Sequence, residues 1–332
     1  MIFHPAILAL YASSVLIAFM VLYSAFYGVE ILRGWDIESG SERQLVLERK
    51  TYLISTLLTY LLGFELLSLF VYVFTADQLH TFFVGAMCAA GTLYVNAYGY
   101  PTLLLKIANF LLAGLWLILN YTDNRGYDYP LIRKKYLLLL IMAPLLLAET
   151  ILQANYFLRL KPNIITSCCG SLFSAGENGL TSEIFAFPTI PMKVAFYLSV
   201  FLTVTSGVYF YRKGRGGYLF SSISAVTFFV SLASVLSFIS VYFYELPTHH
   251  CPFCLLQKEY GYIGYPLYIM LFGGGVFGMG IGALMPFREV RSLSGTIPAI
   301  QKRLALGSII LFFLFTAIVT FRMVFSSFVL EG

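Results

Sequence analysis

The chain has 332 residues, of which 59% are hydrophobic and only 11% are charged, with a formal net charge of +5. Soluble globular proteins have about 45–50% apolar and about 25% charged residues. The composition therefore excludes a soluble enzyme, a nucleic-acid-binding protein and a disordered protein. Since roughly 20 apolar residues cross a bilayer, we predict an all-α, polytopic transmembrane helix bundle that forms a single integral membrane domain over residues 1–332.

Eight apolar runs have the length of a membrane-spanning helix. In chain order they cover residues 6–32, 51–75, 107–122, 137–158, 191–211, 218–245, 258–285 and 304–328. A ninth stretch, about 81–101, is apolar but is broken by glycine, asparagine and proline residues. It suits either an ordinary span or a re-entrant segment whose backbone is buried in protein. The bundle therefore has eight or nine membrane segments.

Basic residues are concentrated in the four connections 33–50, 123–136, 212–217 and 286–303. Lysine and arginine favour the cytoplasmic side of a membrane. The weakly basic loops at about 158–190 and 246–255 are therefore predicted to face outward, and so is the C-terminus. If 81–101 is re-entrant, all four basic connections become cytoplasmic and the N-terminus lies outside. We expect a multi-pass protein of the plasma (bacterial inner) membrane.

Four of the five cysteines lie in the two loops that are predicted to face outward, on the oxidising side, where disulfides persist. Cys168 and Cys169 are adjacent in the first loop, and Cys251 and Cys254 form the sequence C-P-F-C in the second. Cys88 lies alone in the broken segment, and the sequence leaves its role open. Because the loops are oriented by their basic residues alone, the location of the cysteines independently favours redox or metal chemistry.

The C-P-F-C sequence precedes the apolar run at 258–285, and we expect it at the N-terminus of that helix. Pro252 has a helix-compatible φ, and the helix dipole would stabilise a thiolate on Cys251. A lowered thiol pKa would make Cys251 a better attacking and leaving group in disulfide exchange, and protonated His249 or His250 would lower it further. A static disulfide that only staples the loop is the structural alternative.

The run from Cys251 to Lys258, C-P-F-C-L-L-Q-K, resembles the bacterial disulfide-generating quinone reductases (DsbB family). In that family an arginine at the quinone follows the second cysteine of a C-x-x-C by four residues, and Lys258 has that position here. The vitamin K epoxide reductases are similar in having a C-x-x-C at a helix end beside a membrane quinone. The resemblance covers eight to twelve residues, and lysine lacks the bidentate hydrogen bonding of arginine.

The resemblance implies a membrane thiol–disulfide oxidoreductase. Cys251 and Cys254 would be the catalytic pair that exchanges electrons with a membrane quinone, the expected cofactor. Lys258, Gln257 and His250 would lie at the quinone.

A second cysteine pair in an outer loop is also a feature of the resembling family, where it passes oxidising equivalents to a soluble partner. Cys168 and Cys169 would be this second catalytic pair, and they would relay electrons from a soluble thiol protein on the outer side. A disulfide between adjacent cysteines closes a strained ring, and strained disulfides are more oxidising.

Two other functions are compatible with the same residues. Soft ions such as Cu(I) prefer thiolate ligands, so the chain is alternatively a copper-type metal transporter or another metal-handling membrane protein. The candidate ligands of that metal are Cys168, Cys169, Cys251, Cys254, His249 and His250. The third interpretation is a non-catalytic subunit of a membrane respiratory or assembly complex, in contact with other membrane subunits.

Ionisable and amide side chains at membrane depth are further functional candidates. They could pass protons, contact a quinone or line a transport route, and the structural alternative is an interhelical hydrogen bond or ion pair. These residues are Glu65, Asn96, Lys106, Asn109, Glu149 and Gln153. Gly274, Gly278 and Gly282 repeat at every fourth position, which predicts a face for close helix packing.

Overall fold

The structure is a computed structural model, and it describes residues 4–162, 164–166, 189–247, 249–326 and 328. Within these ranges the regular structure is helical, with one isolated parallel bridge between Val84 and Ile165. The α-helices are α1 Pro5–Gly34, α2 Glu42–Gln78, α3 Ala89–Tyr94, α4 Gly99–Asp123, α5 Ile132–Leu158, α6 Thr189–Lys213, α7 Gly217–Ser234, α8 Ser240–Tyr244, α9 Gly264–Leu284 and α10 Thr296–Phe325.

Eight helical segments of the described chain are long and apolar enough to span a membrane. They include α2 with its continuation to Phe82, and Gly217–Tyr244, in which a π-helical turn joins α7 to α8. The prediction of an all-α, polytopic membrane protein is thereby confirmed. The stretch 81–101 is not one of these segments, because beyond the 3-10 turn that ends at Phe82 it contains only the six-residue α3 and the first residues of α4.

Helices α2, α4 and α10 begin eight or nine residues before the apolar runs that predicted them, and α9 begins six residues after the start of its run. Helix α2 begins at Glu42 instead of residue 51, because its first turns are polar and carry no hydropathy signal. Helix α9 begins at Gly264 instead of residue 258. Gly261 and Tyr262 have left-handed φ values of 64° and 56°, a conformation that cannot be continued as a right-handed helix.

The first of two compact units comprises Met1–Tyr72, Asn96–Leu160 and Ala283–Ile300. Within it α5 packs against both α1 and α4. The core of this unit includes fully buried Trp116 and Tyr136. The Trp116 indole donates a hydrogen bond to the main-chain carbonyl of Lys135 at 3.1 Å. The large ring is therefore buried with its N–H group hydrogen-bonded.

The second unit comprises Val73–Val95, Lys161–Gly282 and Gln301–Gly332. The glycine face of α9 packs closely in this unit, as predicted. A Cβ atom added to Gly278 would lie 2.5 Å from the hydroxyl oxygen of Ser224 on α7, and one added to Gly274 would lie 3.2 Å from the ring of Phe312 on α10. The expectation of a single membrane domain stays a prediction.

Candidate functional site

Three buried cysteines of the second unit form a cluster, which we call the thiol cluster. The Sγ atoms of Cys88, Cys251 and Cys254 all lie within 4.8 Å of one another. The Cys88 and Cys251 sulfurs are 3.4 Å apart. Because an S–S bond is about 2.05 Å long, these two residues are thiols in contact, and the three are not joined by disulfides. Cys88, whose role the sequence left open, is therefore part of the candidate site.

Cys88 is positioned by hydrogen bonds around the start of α3, where it is the N-cap residue. The first amide of α3, on Ala89, donates to Asp77 Oδ1 at 3.2 Å. The side-chain amide of Gln257 donates to the same oxygen at 3.1 Å and to the Met87 carbonyl at 2.8 Å. Gln257 therefore ties the segment that carries Cys88 to the segment that carries C-P-F-C.

The chain after Val84 also contacts a short extended segment, Ile164 to Thr166. The Val84 amide donates to the Ile164 carbonyl at 3.2 Å, and the Thr166 amide donates to the Val84 carbonyl at 2.8 Å. The Thr166 hydroxyl donates to the Gly91 carbonyl at 3.0 Å. Gly85 has φ of 86°, and a side chain there would collide with the Thr166 carbonyl. A glycine is thus needed for this approach.

The predicted second pair, Cys168 and Cys169, lies outside the described residues. Thr166 is the last described residue before the pair, and it is hydrogen-bonded to the segment that carries Cys88.

The C-P-F-C segment forms a loop, and the expectation that it opens a membrane helix is wrong. Cys254 begins a three-residue 3-10 turn, and α9 begins only at Gly264. The loop is anchored by two tyrosines. The Tyr244 hydroxyl donates to the Cys251 carbonyl at 2.5 Å, and the Tyr268 hydroxyl donates to the Pro252 carbonyl at 2.8 Å.

The electrostatic environment of Cys251 also differs from the prediction. Burial raises the pKa of the Cys251 thiol well above its usual value, and the neighbouring Cys254 raises it further. The hydrogen bond with Cys88 opposes this rise. The expected helix dipole is absent from this short turn, and the hydrogen bonds around Cys251 only partly oppose the desolvation of a thiolate. Cys251 is therefore a buried neutral thiol in this state.

The two adjacent histidines have different environments. His249 Nε2 lies 3.3 Å from the Cys254 sulfur, and the His249 ring packs edge-on against Tyr244 with centroids 4.7 Å apart. His250 Nδ1 faces the main-chain carbonyls of residues 236 and 237 at 3.2 and 3.1 Å. These carbonyls lie in the π-helical turn, where the regular α-helical hydrogen bonding is interrupted.

Gln257 and Lys258, which the sequence predicts at the quinone, differ in their exposure to solvent. Gln257 is half-buried, and it is directed at Asp77 and Met87 as described above. Lys258 is exposed in the following 3-10 turn. The Tyr265 hydroxyl, on the first turn of α9, is buried without a hydrogen-bond partner among the described residues.

The sequence interpretation missed Cys88 and Asp77 as parts of the site. The available signal for Cys88 was the break at 81–101, since a stretch that is not a full span leaves this cysteine in a connection between two long helices. Asp77 gave no signal, because it lies at the end of a long helix with no motif around it.

No family model matches the chain. No curated protein and no solved structure is significantly similar either.

Proposed function

We propose that this protein is a membrane thiol–disulfide oxidoreductase that passes electrons from a soluble thiol protein to a membrane quinone. The contact of 3.4 Å between the sulfurs of Cys88 and Cys251, beside Cys254, supports this function. Exchange requires a thiolate to attack a disulfide sulfur directly, and three sulfurs within 4.8 Å of one another, two of them in contact, suit that requirement. A single static disulfide would need only two of them.

The overall reaction balances as dithiol plus quinone giving disulfide plus quinol. In the oxidised protein, a substrate thiol loses its proton and attacks the Cys251–Cys254 disulfide at Cys254, and the S–S bond breaks as the Cys251 sulfur leaves and takes up that proton, which restores its neutral thiol. The second substrate thiolate then attacks the mixed disulfide, and Cys254 leaves. The two cysteines are now reduced, and their re-oxidation transfers two electrons and two protons to the quinone.

The environment of Cys254 favours it as the attacked and attacking sulfur. His249 Nε2 is 3.3 Å away and can hold a proton as the thiolate forms. Cys251 is completely buried, and burial raises the pKa of its thiol. The sequence had favoured Cys251 because of the expected helix dipole. Cys88, in contact with Cys251, would then be the thiol within the protein that attacks a disulfide at the buried Cys251 sulfur.

Two side chains near the C-P-F-C loop have chemistry that suits quinone binding. The buried Tyr265 hydroxyl lacks a hydrogen-bond acceptor among the described residues, and a quinone carbonyl is an acceptor. Lys258 follows Cys254 by four residues, as the arginine does in the resembling family, and its ammonium is exposed. We therefore assign Tyr265 and Lys258 to quinone binding, with Gln257 and His250 holding the surrounding backbone.

The arrangement of spans supports an outer location of the site. With eight spans, alternate crossing brings the segment with Cys88, the loop with Cys168 and Cys169, and the loop with Cys251 and Cys254 to one side. The four basic connections come to the other side, which is the cytoplasmic one by the distribution of lysine and arginine. We infer that the chain lies in the plasma membrane with its cysteines and C-terminus on the periplasmic or extracellular side.

We propose Cys168 and Cys169 as the relay to the soluble thiol protein, so that the dithiol which attacks Cys254 in the reaction above is this pair after the soluble protein has reduced it. The hydrogen bonds of Thr166 to the segment that carries Cys88 support this role, because they fix the start of the loop two residues before the pair. Trapping of a mixed disulfide tests the relay. A Cys169→Ser chain should accumulate a disulfide between Cys168 and its partner protein.

Reduction of quinone by a dithiol in membranes that contain the full chain tests the function. We expect activity in the wild type and complete loss in Cys254→Ser, with unchanged thermal unfolding as the control for folding. Quinone reduction that survives in a folded Cys254→Ser protein would refute the proposal.

Binding of a soft metal ion is the second candidate function, and the thiol cluster itself favours it. Three sulfurs within 4.8 Å and the imidazole of His249 beside Cys254 form a ligand set that suits Cu(I). Thiol trapping separates the candidates. Cysteines that change oxidation state with the quinone pool support the oxidoreductase, whereas thiols that Cu(I) protects from alkylation support metal handling. Permanently oxidised cysteines would support a non-catalytic subunit.

A further inference from the structure

The first unit contains three ionisable side chains that are buried at membrane depth. They are Glu65 on α2, Lys106 on α4 and Glu149 on α5, and their side chains are at most 2% exposed. The Lys106 ammonium lies 2.6 Å from Glu149 Oε1 and 3.9 Å from Glu65 Oε1. Two carboxyl groups therefore face a single ammonium, and we call the three residues the carboxyl–lysine site.

The two carboxyl groups are hydrogen-bonded differently. Glu149 is satisfied at both oxygens, since Lys106 donates to Oε1 and the Asn109 side-chain amide lies 2.5 Å from Oε2. Lys106 also donates to the Ser68 hydroxyl at 3.0 Å. By contrast, Glu65 Oε1 makes no hydrogen bond within the described chain, although it is buried. A bare carboxylate oxygen in this position would be strongly disfavoured.

Among the residues that the structure describes, the other ionisable groups beside the site are two tyrosines, which cannot supply a second positive charge. The ring of Tyr72 lies 5.6 Å from the Lys106 ammonium, and the Tyr72 hydroxyl donates to the Gly99 carbonyl at 3.0 Å. Tyr156 packs against Tyr72 with ring centroids 5.7 Å apart. Both residues are phenols, which are neutral at ordinary pH. Because these phenols are neutral, the charged groups of the site are two carboxyl groups and one amino group.

A second buried pair in the same unit shows the balanced arrangement. Lys135 and Asp123 lie 2.7 Å apart, with both side chains at most 1% exposed. One ammonium there faces one carboxylate, and the Asn120 oxygen accepts another hydrogen bond from Lys135 at 3.0 Å. Buried charges persist when they are paired and neutralised. The carboxyl–lysine site has one acid too many to be neutral without a proton.

We propose that the carboxyl–lysine site is a membrane-buried proton-binding site that holds one exchangeable proton, carried by Glu65. Lys106 and Glu149 form the ion pair, and the neutral Glu65 carboxyl completes a site with zero net charge. Release converts the Glu65 carboxyl to a carboxylate and transfers its proton to water. The ligand is a proton and not a metal cation, because the Lys106 ammonium occupies the position that a cation would take.

The position of the site suits proton exchange with one side of the membrane. Lys106 lies seven residues after the start of α4, or about 10 Å along the helix at 1.5 Å per residue. Toward the other end of α4 the same face carries Ala113 and Trp116, both fully buried. This apolar layer separates the carboxyl–lysine site from Lys135 and Asp123. The proton is therefore exchanged from the end of the unit where α4 begins.

The number of protonated carboxyl groups in each variant tests the proposal. Infrared difference spectra of the full chain in lipid nanodiscs report protonated carboxyl groups through their C=O stretch, which shifts in D₂O. If the site stays neutral, the wild type has one protonated carboxyl and Glu65→Gln has none. Glu149→Gln also has none, because Glu65 then ionises to pair with Lys106. Lys106→Met has two.

Two control variants test whether the signal is specific to Glu65 and whether each variant is folded. Glu30→Gln alters a half-exposed carboxylate on α1, which lies 3.5 Å from Arg43, and it should leave the protonated-carboxyl signal unchanged. Glu65→Gln has the shape of the protonated acid and should retain wild-type thermal stability even where Lys106→Met fails to fold. The proposal is overturned if the wild type and Glu65→Gln have the same signal, or if Glu65→Gln unfolds as readily as a variant that breaks the ion pair.

Discussion

The difference between the two adjacent histidines gives the sharpest prediction for the thiol cluster. His249 Nε2 is 3.3 Å from the Cys254 sulfur, whereas His250 Nδ1 is directed at two main-chain carbonyls. An imidazole at that distance can take the thiol proton and stabilise the thiolate as an ion pair. We therefore predict that His249→Ala slows alkylation of Cys254 at neutral pH, and that His250→Ala changes it little.

The expected magnitude follows from the distance. Two unit charges 3.3 Å apart interact by about 5 kcal/mol at an effective dielectric constant of 20 and by about 1.3 kcal/mol in bulk water. His249 is half-buried, so the effective value lies between these limits. Since about 1.4 kcal/mol corresponds to a factor of ten, His249→Ala should reduce the rate of alkylation by roughly 10- to 100-fold.

The assay uses a chain in which Cys254 is the single cysteine and the other four are serine. The rate of iodoacetamide labelling is measured by mass spectrometry in the wild-type, His249→Ala and His250→Ala backgrounds. Equal rates in all three would refute the ion-pair argument. An equal loss in both histidine variants would show that the loop had been disturbed, and that the specific contact to Cys254 does not govern its reactivity.

Two further predictions concern stability, measured as the free energy of unfolding in mixed micelles. Asp123→Asn removes the charge that pairs with Lys135 at 2.7 Å and should destabilise the chain by about 3–5 kcal/mol. Arg43→Met breaks an exposed pair and should change the free energy of unfolding by less than about 1 kcal/mol. Equal effects of the two substitutions would contradict the argument that burial strengthens the Asp123–Lys135 pair. Gly278→Ala places a Cβ 2.5 Å from the hydroxyl oxygen of a serine on α7 and should destabilise the chain by about 1–3 kcal/mol. Gly63→Ala is the control, because a Cβ there meets nothing within 4 Å, and it should be neutral or stabilising by up to about 1 kcal/mol. If Gly63→Ala destabilises the chain as much as Gly278→Ala does, the argument from the close packing of α9 is contradicted.

The membrane segments illustrate what a local pattern can predict. Each of the eight apolar runs corresponds to a helix that is long and apolar enough to span a membrane. The ends were less predictable. The polar start of α2 at Glu42 carries no hydropathy signal, and α9 begins late because Gly261 and Tyr262 adopt left-handed φ values. Such backbone breaks depend on the local fold of the loop, which composition does not reveal.

The candidate site was only partly predictable. The C-P-F-C sequence marked Cys251 and Cys254 as candidate site residues. The approach of Cys88, 163 positions before Cys251, could not be predicted, because no periodicity links the two segments. The same limit applied to the side-chain amide of Gln257, whose hydrogen bonds join the two segments.

The sequence by itself determined that lipid is the solvent of this protein, because only 11% of its residues are charged and its apolar runs have the length of a bilayer span. Spanning is a property of about 20 consecutive residues, so it can be recognised locally. Only the tertiary structure decided which thiols meet and that Glu65 and Glu149 face the single ammonium of Lys106. These contacts join residues that are distant in the chain, and they exist because packing in three dimensions brings particular helix faces and loops together.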